Sequence, residues 1–124
     1  MANSFFSRPI RPKRDWSPEQ RAYYDALMSY RSANEAVEML DDGLPSDMPL
    51  IDHVKAYAEA ARRHGLVQRE SELRTAEDDL ADWARVRLMG KHPEVDKMLV
   101  AQDWKHNAVH RNHLMRILLE VDNR

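Results

Sequence analysis

Glycine occurs at only three positions, 43, 65 and 90, and each closes a stretch whose apolar residues recur three or four apart. Between those stops there is little material for a sheet. The chain has one threonine, eight valines, three isoleucines and no sustained apolar–polar alternation. A chain punctuated this way builds from helices, so the expected class is all-α: a small four-helix bundle behind an extended basic N-terminal arm.

The first helix opens on Ser17-Pro18-Glu19-Gln20, which reads as an N-cap, a proline at the first helical position and a glutamine three residues on, a capping box. It is predicted over 18–40, with Tyr23, Leu27, Tyr30, Ala33, Val37 and Leu40 as its apolar stripe. The second is predicted over 49–64 and should bury Leu50, Val54, Ala58 and Ala61. The third covers 67–89 and should bury Leu73, Ala76, Leu80, Trp83 and Ala84. The fourth starts at Pro93 and runs unbroken to about Val121. Gly43 and Gly65 each precede a leucine, as expected where a left-handed residue ends a helix and the next side chain packs back. Asp41 and Asp42, at the end of the first helix, oppose the helix dipole.

Charge divides the chain at Trp16-Ser17. Residues 1–16 hold Arg8, Arg11, Lys13 and Arg14 against Asp15, a balance of +3; the remainder holds 15 Lys/Arg against 20 Asp/Glu, a balance of −5. At 124 residues the chain has room for one core, so the expected organisation is an arm over 1–16 and a single helical domain over 17–124. Leu, Ile, Val and Phe together number 25, which makes that core thin and dependent on alanine and methionine.

No cysteine is present, which removes disulfides, thiolate metal sites and cysteine nucleophiles. No apolar run approaches a membrane span, and residues 1–16 lack the apolar centre of a signal peptide, so a cytoplasmic location is expected. Phosphate-cradling loops and nucleophile elbows are missing, no cofactor is implied, and an enzyme is not expected.

Three local patterns carry possible functions. Within the arm, Pro9 and Pro12 favour an extended backbone, Arg8, Arg11, Lys13 and Arg14 suit phosphate or carboxylate, and Phe5 and Phe6 suit an apolar slot. Trp16, just before the cap, should pack on Arg21 or the first helical turn. On the last helix, Lys97, Lys105 and Arg116 lie along one line, Arg111 adds a further cation, and Trp104 and Asn107 flank them, so the helix could lie along a phosphate backbone. His106, His110 and His113 fall at i, i+4 and i+7, with Asp103 nearby. That ladder suits a metal ion, a pH-sensitive contact or an interface, and an interface fits best because no second helix offers matching ligands.

The leading expectation is a non-enzymatic small helical subunit of a larger nucleoprotein assembly. It would contact nucleic acid or a nucleic-acid-binding partner through the arm and the last helix. The alternative is a protein-only inhibitor or adaptor whose acidic third helix, with Glu77, Asp78, Asp79 and Asp82, occupies a basic groove. A histidine-rich metal-binding bundle is the third. A protein partner is expected in the first two, and self-association stays open because the core is thin.

Overall fold

The computed structural model describes residues 10–121. Among them are five α-helices and no strand: α1 (Pro18–Asp42), α2 (Leu50–Arg63), α3 (Leu66–Arg87), α4 (Pro93–Ala101) and α5 (Ala108–Glu120), with a 3₁₀ turn at Asp103–Lys105 between the last two. None is long and apolar enough to cross a membrane.

The capping box at α1 forms as the sequence implies. Ser17 N–H donates to Gln20 Oε1 at 2.8 Å, and Gln20 N–H donates to Ser17 Oγ at 3.1 Å. At its far end α1 continues through Asp41 and Asp42. There the carboxylate of Asp41 lies 3.7 Å from Nδ1 of His53. Gly65 ends α2 in the left-handed region at φ 62°, its N–H bonded to the carbonyl of Arg62, and Leu66 packs back into a buried cluster. The sequence rule holds there. It does not extend to Gly43, which has no positive φ.

The expected fourth helix is two helices. Gln102 adopts φ 57° and caps α4; Asn107 then caps α5, its Oδ1 accepting from the N–H groups of Val109 and His110 at 3.0 and 3.1 Å. Packing explains the break. Val95 and Leu99 are buried on α4, and Leu114, Met115, Leu118 and Leu119 on α5. On one straight helix at roughly 100° per residue, those two sets would point about 150° apart. A single rod could not bury both. The six residues between them re-phase the apolar face, and Trp104, 3 % exposed, fills the corner.

The chain divides into two compact units, one holding residues 25–75 and the other the described residues 10–24 and 76–121. The second is densely filled: Tyr23, Leu80, Ala81, Trp83, Ala84 and Leu88 are buried along with the α4 and α5 residues above. Its α3 stripe is buried as expected. The 25–75 unit buries fewer large side chains, Leu27, Leu66 and Leu73 among them. Its cluster consists of Ala33, Val37, Ala60 and Leu66, with Tyr30 and Ala61 partly buried against it. Two expectations fail here. Leu40 is 45 % exposed instead of closing the α1 stripe, and α2 buries Ala60 while Leu50 and Val54 stay outside.

Candidate interaction surfaces

The described part of the arm lies against its own body. Trp16 Nε1–H donates to the carbonyl of Leu119 at 2.9 Å, and the Lys13 ammonium donates to the carbonyl of Glu120. These are terminal carbonyls of α5, which no later turn of that helix satisfies. Gln20, fully buried, adds a third grip: its Nε2 donates to the carbonyl of Leu118 at 2.8 Å. Trp16 also stacks obliquely on Tyr24, centroids 5.4 Å apart, with the Arg21 guanidinium 5.7 Å from the Trp16 ring. The packing of Trp16 on the first turn is therefore as expected; the clasp onto α5 is not visible in the sequence. Residues 10–16 are thus held on the body instead of reaching away from it. Phe5, Phe6 and Arg8 lie outside the described residues.

Two of the cations assigned to the last helix point inward. Arg111 Nε lies 3.8 Å from Glu77 Oε1, and its Nη2 donates to the carbonyl of Lys105 at 3.0 Å. Arg116 Nε lies 3.3 Å from Glu120 Oε1, with only 11 % of its side chain exposed. Arg11, Arg14, Lys97 and Lys105 are exposed, Lys105 resting 5.8 Å from the Trp104 ring. Burial of Trp104 removes it as a stacking platform for bases, and Asn107 serves as a helix cap.

The acidic face loses one member. Glu77 is 2 % exposed, so it belongs to the interior beside Arg111 and not to the surface. Asp78, Asp79 and Asp82 are exposed, Asp82 paired with Arg85 at 2.6 Å. Asp79 and Asp82 line a shallow groove with Trp83, Val86 and Glu19, the last contributed by α1.

The histidine ladder does not exist as a ladder. His106 lies in the turn before α5, while His110 and His113 lie on it, so the i, i+4, i+7 spacing no longer places all three on one face. Among the described residues no group of three or more His, Asp or Glu side chains converges as a metal site would need.

The largest departure from expectation is α2. Leu50 is 80 % exposed, Ile51 62 %, Val54 57 % and Tyr57 44 %. At roughly 100° per residue these fall on one face together with Ala58 and Ala61, about a third of a turn away from buried Ala60. The sequence identified an apolar stripe correctly but assigned it to the wrong neighbour. Met39, Leu40 and Val67, in the same 25–75 unit, are exposed as well. Within the same unit the phenol of Tyr30 is pushed above its ordinary pKa, chiefly by burial and secondarily by the Glu70 carboxylate.

No protein-family model matches the chain, and comparisons with curated proteins and with solved structures return no match.

Proposed function

We propose that this chain is a non-enzymatic helical subunit of a larger assembly and that α2 is the face through which it is held. The observation that carries this reading is the continuous exposure of Leu50, Ile51, Val54 and Tyr57 on one helix. Scattered exposed apolar residues are ordinary, but a contiguous stripe on a unit with few large buried side chains marks a surface that another molecule covers. The test is a photo-crosslinking amino acid at Val54, with Asp78 as the comparison position, in cells of the source organism. Discrete higher-mass adducts are expected from position 54 alone. Absence of adducts at 54, or equal labelling at both sites, removes the reading.

Contact with nucleic acid stands as a second reading, supported by exposed Arg11, Arg14, Lys97 and Lys105 in the other unit. Cations at a phosphate backbone release counterions, so affinity for labelled single-stranded RNA should fall steeply as salt rises. The Lys97→Glu/Lys105→Glu variant should bind about tenfold more weakly at low salt. Salt-independent binding, or none at low salt, ends this second reading.

A further inference from the structure

We infer that the occupant of the α2 face is the α2 of a second copy of this chain, packed antiparallel about a two-fold axis. The inference rests on the reading of α2 as an assembly surface and names its partner.

The spacing comes first. Leu50, Val54, Tyr57 and Ala61 recur at intervals of four, three and four, the spacing of a short two-helix coiled-coil seam, with Ala61 at its edge already partly buried against its own core. The natural cover for such a seam is another helix. Size comes next. Antiparallel packing with alternate a and d layers sets Leu50 opposite Ala61 of the second copy, and Val54 opposite its Tyr57. Each layer then joins a large residue to a small one, the arrangement that fills space without strain. Parallel packing would set Leu50 on Leu50 and Tyr57 on Tyr57 while leaving Ala61 on Ala61, a seam overfilled at one layer and hollow at another.

Charge selects the same direction. The N-terminal end of α2 gathers Asp47 and Asp52, together with Asp41, which contacts His53. The C-terminal end gathers Arg62, Arg63 and Arg69, the last donating to the carbonyl of His64 at 2.9 Å; Glu59 pairs with Arg62 and Arg63, which leaves that end net positive. An antiparallel pair sets the acidic end of each copy against the basic end of the other and lays the two helix dipoles side by side in opposite directions. A parallel pair would bring like ends together. The exposed stripe amounts to an apolar patch of the order of 400 Å² per copy, within the range of a monomer's largest patch and small for a tight dimer. The expected dissociation constant is therefore about 10–100 µM.

The experiment uses the full chain, which contains no cysteine. Sedimentation across that concentration range should show monomer passing to dimer. Val54→Lys should stay monomeric throughout with an unchanged circular-dichroism spectrum, since position 54 is exposed in the single chain. Orientation is read by mixing chains carrying only Leu50→Cys with chains carrying only Ala61→Cys and adding a short bis-maleimide. Covalent dimer is expected in the mixture and not within the Leu50→Cys chains alone, whose thiols would lie about 16 Å apart along the pair. Cross-linking of Leu50→Cys chains to one another overturns the antiparallel arrangement. A monomer up to about 1 mM overturns the second copy as occupant. If adducts still form at position 54 in cells, the face then belongs to a different protein.

Discussion

Replacing Gln20 with alanine should lower stability by about 3 kcal/mol, a fall in Tm on the order of 10 °C. Gln20 is fully buried and works in two directions. Its Oε1 completes the cap of α1, while its Nε2 holds the carbonyl of Leu118 at 2.8 Å and approaches that of Val121 at 3.5 Å. Truncation leaves a buried donor and a buried acceptor unmet, which costs more than the net worth of either bond. The conservative variant separates the two roles. As a capping-box residue, glutamate serves as well as glutamine, so a purely local role predicts that Gln20→Glu is harmless. The clasp predicts that it is nearly as damaging as alanine, because a carboxylate would face the Leu118 carbonyl with no proton to donate. Urea denaturation of both variants decides; a Gln20→Glu protein within about 0.5 kcal/mol of the parent refutes the clasp.

Arg111→Ala should cost a further amount of similar size, about 3–4 kcal/mol. The reason is its neighbour: Glu77 is 2 % exposed, and removing the guanidinium beside it takes a counter-charge from a carboxylate in the interior. The carbonyl of Lys105 also loses its donor, which loosens the turn between α4 and α5. Coupling is the signature. Glu77→Gln/Arg111→Met should be far less damaging than the sum of the single changes, because the buried charge disappears with its partner. Additive losses would mean that the two side chains do not interact. The same double variant tests the expectation that Arg111 contacts nucleic acid: once stability is recovered, RNA binding should equal that of the parent.

What could be read from the sequence was mostly local. The cap at Ser17, the left-handed stop at Gly65 and the proline start of α4 each depend on residues within one turn, and each forms. The α3 stripe was legible because its apolar residues keep one phase. Glu77 was legible too and was missed: at roughly 100° per residue it falls between Ala84 and Ala81, inside the buried arc, while Asp78 and Asp82 point outward. The break at Gln102 carried a signal in the half-turn shift between Val95-Leu99 and Leu114-Leu119, but the intervening histidines masked it as an interrupted stripe. The exposure of α2 was not legible. Periodicity shows that a helix has an apolar face; it does not show whether the chain itself provides the cover.

Because Lys13 and Trp16 hold the last carbonyls of α5, residues 10–16 and the α5 terminus sit side by side at a single point of their unit. Tension applied between those two segments would load the clasp's hydrogen bonds one after another instead of shearing them together. The molecule should open there first under force, as a zip does from its end, while the interior behind Gln20 is still closed.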